Sequence, residues 1–440
     1  MIQKTATPTT TSDCDLDSRS RVFFRRSGND LPVFKADDLA WSQREQSAPQ
    51  KLPLVVSSGP RWFRQENLQP VQSVSWDLVE RGLMQRFEAL QVLMERLAAG
   101  RALPASLQIT GNSELGKQFR LLAPGPLNPH RPPASGASWT WFGATDLVLT
   151  PDGGIHVLDQ DFSLPTGLER LAGASGCSLE AAEQVVRTAL FPDGVHCSGE
   201  PSVMLEPTHP GAAETANSFL ARCLQIERVH RGHARADNGG FRVLRNGRWD
   251  VVRSVVRRVE DELLDPNCLR PNSLVGVPGL MGRWSAGRLS LFNAPGSGLF
   301  RLRSLIRRMP VLIRELLAEE PVLKTAEVLE FECEHDAARV LRQPHEFVLR
   351  PIDPLDSIRS CCGRTAGAAE LERVLEQVRK QPARWCARRL LPGASTGQHF
   401  RVFASSTDRF RILPAGLMRK SEADGGASPL IPTEAEVTLL

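Results

Sequence analysis

The chain has 440 residues, 41% of them apolar and 24% charged, with a formal net charge of only +4. That balance suits a globular protein of two or three domains. It argues against the concentrated basic face of a nucleic-acid binder, and no run of about 18 apolar residues offers a membrane span, so neither nucleic acid nor membrane is an expected partner.

Cation usage is skewed: of the 54 basic residues 47 are Arg and seven are Lys, and Tyr is absent. Nine cysteines without a CxxC pair do not make a disulfide framework, and the adjacent Cys361 and Cys362 cannot bridge without strain. A reduced, cytoplasmic setting is the expectation.

In chain order, residues 1–20 are rich in Thr, Ser and Asp and read as a disordered tail. From Ser75, a candidate N-cap, Leu83, Phe87, Leu90, Met94 and Leu97 recur at helical steps up to a stop at Gly100. A Pro/Gly/Ser loop over 120–140 leads to a hairpin, "TDLVLT", Pro-Asp-Gly-Gly, "IHVLDQDFSLPTG", whose second strand ends in Asp159, Gln160 and Asp161. A helix over 179–190, the strand "PSVMLEP", the helix "AAETANSFLARCLQI" and a second hairpin turning at Asn246-Gly247 continue the alternation expected of α/β layers. After the strand and turn "RLSLFNAPGSG" comes the helix "LRSLIRRMPVLIRELLAEE". The last third holds the strand "EFVLRPID", the helix "AAELERVLEQVRK" and the strands "HFRVFAS" and "RFRILPAG". Residues 421–440 read as a loosely ordered tail.

The densest charge lies in "RRVEDELLDPNCLRPNSLVGVPGL" (257–280), where Arg257 and Arg258 precede Glu260, Asp261, Glu262 and Asp265. Acids beside arginines can hold Mg²⁺ or orient an amine while the arginines take a carboxylate or phosphate. They can equally be the solvated first turn of a helix. The rigid turns "GVPGL" and "NAPGSG" nearby favour a site, since functional loops need backbone held in place. "NAPGSG" resembles a phosphate-cradling turn but matches neither the Walker sequence nor G-x-G-x-x-G. His230-x-x-His233 with Asp237 has tolerable metal spacing but no further local ligand, and reads as exposed loop. No G-x-S-x-G or HExxH is present.

Five stretches, "WDLVERGLMQRFEALQVLMERL", "TDLVLTPDGGIHVLDQDFSLPTG", "ANSFLARCLQIERV", the acid run and "LSLFNAPGSG", resemble in order and spacing the circularly permuted ATP-grasp proteins of type 2, themselves distantly similar to glutathionylspermidine synthase and other carboxylate–amine ligases. The resemblance covers roughly residues 60–420. It implies an α/β (α+β) ATP-grasp domain over 21–420, with nucleotide between two subdomains that divide near 300–330. It also implies ATP and Mg²⁺, and activation of a small-molecule or peptide carboxylate to an acyl phosphate that an amine attacks.

On that likeness Arg258, Glu260, Asp261 and Asp265 are catalytic. Asn293, Gly296, Gly298, Arg303 and Arg350 bind the nucleotide, and Arg257, Asp159 and Asp161 the substrate; no metal ligand is assigned. A helical or transglutaminase-like protein is the implied partner.

This chain departs from the family's pattern in several places. Arg303 and Arg350 stand where the family has lysines, and His399 where it has an acid. "PIDPLDSIRS" lacks the family's glycines, placing Pro354, Leu355, Asp356 and Ile358 where backbone must meet phosphate. The final Asn/Ser/Gly-rich run with its lysine shrinks to "SEADGGASP". Arg for Lys keeps the charge and adds a bidentate fork, whereas side chains in place of glycines obstruct the approach. Two functions are therefore expected as alternatives: a working ligase, or a degraded ATP-grasp domain serving as a binding or scaffolding subunit.

Overall fold

A computed structural model describes residues 76–99, 101–107, 139–174, 177–195, 201–209, 211–353, 358–391, 398–406 and 409–419, with the short strands at 23–24 and 437–439. Ser75, Gly100, most of the 120–140 loop, Pro354, Leu355, Asp356 and the tail expectations lie outside these residues.

The first long helix, α1 (Trp76–Ala98), buries Leu83, Phe87, Leu90, Met94 and Leu97, the stripe legible in the sequence. It packs on the larger sheet. There β2 (Phe142–Leu149) and β3 (Ile155–Asp161) form the expected hairpin, extended N-terminally by "FGA" and bulged at Asp146/Leu147. The sheet runs β1 (Phe23–Phe24), β17 (Phe410–Arg419), β16 (Gln398–Ser406), β2, β3, β11 (Lys324–Thr325), with β18 (Val437–Leu439) on β17.

Helices α2 (Leu168–Ala174), α3 (Leu179–Leu190) and α4 (Glu214–Leu224) cover it from a second side. Ser178 caps α3 by accepting from the Ala181 amide. Gly167 begins the turn into α2 at φ +113, a conformation that a side chain would strain.

A parallel sheet follows, β10 (Ser290–Phe292), β9 (Ser254–Arg257), β4 (Ser202–Leu205) and β5 (Glu227–Val229) in spatial order. β4 and β9 are buried at every position, as parallel strands covered on both faces must be. Beside it stands an antiparallel meander of β6 (Ala234–Asp237), β7 (Gly240–Arg245) and β8 (Arg248–Val252). It turns at Asn246-Gly247, both at positive φ.

The short α5 (Leu280–Ser285) precedes β10, and α6 (Arg303–Leu317) follows the "NAPGSG" turn and packs on α1. The last sheet orders β12 (Val328–Glu330), β15 (Trp385–Arg389), β13 (Phe347–Pro351), β14 (Cys361–Cys362). Helices α7 (Glu334–Arg342) and α8 (Ala368–Lys380) sit near it. Phe347, Leu349, Trp385 and Ala387 share an apolar cluster with Val340 from α7 and Val374, Leu375 and Val378 from α8. Because side chains alternate along a strand, Arg350, Cys386 and Arg388 point the other way, and Arg350 is registered against Cys386. That second face looks toward Asp159 of β3. Two sheets thus meet across a charged layer.

Among the described residues no helix is long and apolar enough to cross a membrane.

Candidate active site

Asp159 lies in that layer. One of its oxygens, Oδ2, is 3.0 Å from Nη2 of Arg303, at the start of α6, and 3.0 Å from Nη2 of Arg350 on β13. Burial alone would raise the pKa of this carboxyl, which is 6% exposed. Arg303, Arg350 and Arg388 outweigh burial and hold it down at about 2.

The arginines respond in the opposite sense to the crowding. Burial, then Arg303, lowers Arg350 to about 9, and burial lowers Arg388 to about 10. Arg303 also donates to the Pro351 carbonyl at 2.6 Å. The Nε atoms of Arg303 and Arg350 and Nη2 of Arg350 are buried without a hydrogen bond. Arg388, 4% exposed, makes no side-chain hydrogen bond or ion pair among the described residues. The cation is in surplus here: three guanidiniums act on one carboxylate.

Behind Asp159, Arg86 of α1 donates to Gln160 Oε1 at 3.3 Å and to Thr325. Gln160 in turn donates to the Phe300 carbonyl at 3.0 Å. This strut ties α1, β3 and β11 to the segment just ahead of Arg301 and Arg303.

The residues at the end of β9 form a second cluster. Arg257, 1% exposed, donates through Nε to the Asn293 carbonyl at 2.6 Å, through Nη1 to Val259 at 3.0 Å, and through Nη2 to Ser297 Oγ at 2.6 Å. The same Nη2 lies 2.7 Å from Asp261 Oδ1. Asp261 Oδ2 accepts from the Gly298 amide at 2.7 Å. A Cβ on Gly298 would fall 2.4 Å from that oxygen, so the close approach needs glycine. Gly296 holds the preceding turn at φ +102.

Asn293 clamps β10 to β2. It accepts from the Phe142 amide and donates to the Phe142 carbonyl, both at 2.8 Å. Asp265 accepts from the amides of Asn267, Gly279 and Met281 at 2.9–3.0 Å and thereby fixes the "GVPGL" turn at the start of α5. Arg257, Asp261, Asp265 and Asn293 are thus bonded within their own framework.

Between the two clusters the charges are looser. Arg258 donates to Asn217 at 2.7 Å and lies among Asp161, Glu169 and Glu260. Asp161 accepts from the Ser163 and Leu164 amides at 3.0 and 3.1 Å and faces Arg401 at 4.0 Å. Glu260 is 3.3 Å from Arg301, which also forks onto Asp353 at 3.1 and 3.3 Å. Burial pushes the Glu260 carboxyl up to about 7 despite Arg301 and Arg257.

Ion pairs and hydrogen bonds gather the chain near 160, 258, 293, 303 and 350. Arg86, Arg301, Asp353 and Arg401 join them, Arg388 lies beside them on the charged face of β15, and sequence reasoning did not single these out. In an Arg-heavy chain the only local signal was the Arg388-Arg389 pair at the end of "WCARR". His230 and His233 lie in the short turn before β6, their tilted rings 4.4 Å apart between centroids, and neither is part of this network.

The guanidinium surplus, with buried N–H donors unused, fits the phosphates of a nucleotide. Mg²⁺ needs one or two carboxylates plus phosphate oxygens. Glu260 Oε2 accepts no hydrogen bond and fits that requirement. Among the described residues no group of three His, Cys, Asp or Glu is placed to hold a metal by itself.

A family model described as circularly permuted ATP-grasp type 2 matches residues 178–421. An uncharacterized protein of Synechocystis sp. is 27% identical over 342 residues, 73% of this chain and 69% of that protein. An uncharacterized protein of Mycobacterium tuberculosis is 25% identical over 431 residues, 89% of this chain and 73% of its own. A Frankia alni protein named "Putative glutamate--cysteine ligase 2-3" is 26% identical over 336 residues, covering 72% of this chain but 38% of that protein.

Proposed function

Because the chain belongs to the circularly permuted ATP-grasp type 2 family, we propose that it is an ATP-dependent carboxylate–amine ligase. The observation that carries this reading is the meeting of Arg303 and Arg350 at Asp159 with unused N–H donors. These two arginines stand where the resemblance has nucleotide-binding lysines. The ligase name of the Frankia relative supports the same reaction class.

ATP would supply the phosphoryl group that converts the substrate carboxylate to an acyl phosphate with release of ADP, so that the attacking amine forms the C–N bond as inorganic phosphate leaves. Arg303 and Arg350 hold the phosphates and offset the charge that gathers on them. Glu260, poised near neutrality by burial, takes the proton that the amine loses as it forms the C–N bond. Arg258 and Asp161 flank that carboxylate and orient the incoming group. The framework of Arg257, Asp261 and Asn293 keeps the strand ends in place.

A second reading, a binding or scaffolding subunit, draws on the burial of Arg350, which is 1% exposed and already paired. ADP release separates the two. On the ligase reading Arg303→Gln and Arg350→Gln each abolish ATP-dependent ADP formation in the purified protein. A rate unchanged by both substitutions rules out those roles, and absence of any turnover with wild type across carboxylate–amine pairs favours the scaffold.

A further inference from the structure

The charge balance around Asp159 bears on how the site fills, and the following inference rests on the phosphate-binding reading above. The small sheet presents Arg350 and Arg388 on one face, and α6 begins with Arg303 pointing at the same carboxylate. Asp159 is the carboxylate that all three guanidiniums share, with Asp146 a second, weaker counter-charge to Arg388, so positive charge is in excess. Arg388 is the odd member. It is nearly fully buried, on a rigid central strand, and no hydrogen bond or ion pair among the described residues satisfies it. A buried arginine in that state is costly unless an anion answers it.

We propose that Asp159 is a resting counter-ion, occupying with its carboxylate the place of a polyphosphate group, and that Arg388 is a third phosphate-binding guanidinium that engages when the anion enters and Asp159 lets go. With Asp159 released, three guanidiniums face the ligand, and a phosphate bearing two charges or more answers them better than one carboxylate does. A monocarboxylate in its place would only repeat the charge that Asp159 supplies, so the site prefers polyphosphate over simple carboxylates. Asp159 thereby weakens anion binding, since an entering ligand must displace it from Arg303 and Arg350. It also keeps the empty layer from flying apart by like-charge repulsion.

The test uses the full-length protein and sodium tripolyphosphate, read by titration calorimetry and by thermal unfolding, with acetate at equal ionic strength as control. Asp159→Asn is expected to bind tripolyphosphate about tenfold more tightly than wild type, and Arg388→Gln about tenfold more weakly, one charge-assisted interaction each. Equal or weaker binding by Asp159→Asn, with wild type binding, overturns the counter-ion and leaves the phosphate site standing. Unchanged affinity in Arg388→Gln removes Arg388 from it. Binding by neither wild type nor Asp159→Asn defeats the phosphate-site reading itself. If Asp159→Asn is unstable alone, saturating tripolyphosphate must restore its melting temperature to the wild-type value; failure to do so overturns the proposal.

Discussion

Two buried carboxylates, Asp159 and Asp261, each meet arginine, and they differ in what is left over. Around Asp261 the pairing is one arginine to one carboxylate. One oxygen lies beside Arg257 and the other takes the Gly298 amide, and Arg257 spends its donors on carbonyls and a hydroxyl just past β9 and β10. Around Asp159 three guanidiniums compete for one group, and several N–H donors go unanswered. A polar cluster that closes on itself holds a fold together; one that ends with unused donors of a single sign is prepared for something else. The acid run that dominates the sequence therefore divides, with Asp261 and Asp265 bonded into the scaffold and Glu260 and Arg258 facing the looser charges.

The sharpest way to break this contrast is to remove the arginine from each side. Arg257→Ala strands Asp261 without its ion pair in a site 2% exposed and is expected to cost about 3–5 kcal/mol, visible as a large drop in denaturant midpoint. Asp265→Asn, which gives up the charge accepting three backbone amides, comes next at about 2 kcal/mol by the same measurement. Arg388→Gln should behave oppositely. Losing an unanswered buried charge leaves stability unchanged or about 1 kcal/mol higher. A loss as large as that of Arg257→Ala would mean that Arg388 has a partner after all.

The smallest effect is a pH signature. The Glu260 carboxyl titrates near 7 in the folded protein and near 4.5 when unfolded. The native state therefore holds the extra proton between those values, and this group lowers stability as pH rises through that window. Glu260→Gln removes the penalty. Its unfolding free energy should match wild type below about pH 4.5, gain on it up to about pH 7 and run parallel above. Asp159 has the reverse sign: depressed to about 2, it stabilises above its unfolded value and loses that contribution as pH falls from about 4 toward 2.

The same contrast marks what the sequence could disclose. Elements with a local signature were legible: the α1 stripe, the helix over 179–190, the hairpin into Asp159 and Asp161, and the Asn246-Gly247 turn. Strand β15 was not, because a short, mostly buried run shows no alternation and "WCARR" carries no turn signal. The resemblance supplied Asp159, Arg303 and Arg350, but nothing local placed Arg388 beside them. Its position comes from pairing 40 residues away in sequence, Val348 against Arg388. Nor does composition separate Asp261 from Glu260, adjacent acids whose roles are set by which amide or guanidinium the fold delivers to each.

The most direct measurement is thermal unfolding of the wild-type protein with and without Mg-ATP. A nucleotide site built on Arg303 and Arg350 requires a rise in melting temperature that saturates with ligand, worth about 2.7 kcal/mol at 100 times the dissociation constant, and that shrinks in Arg350→Gln. A melting curve that millimolar Mg-ATP leaves unmoved would contradict the account.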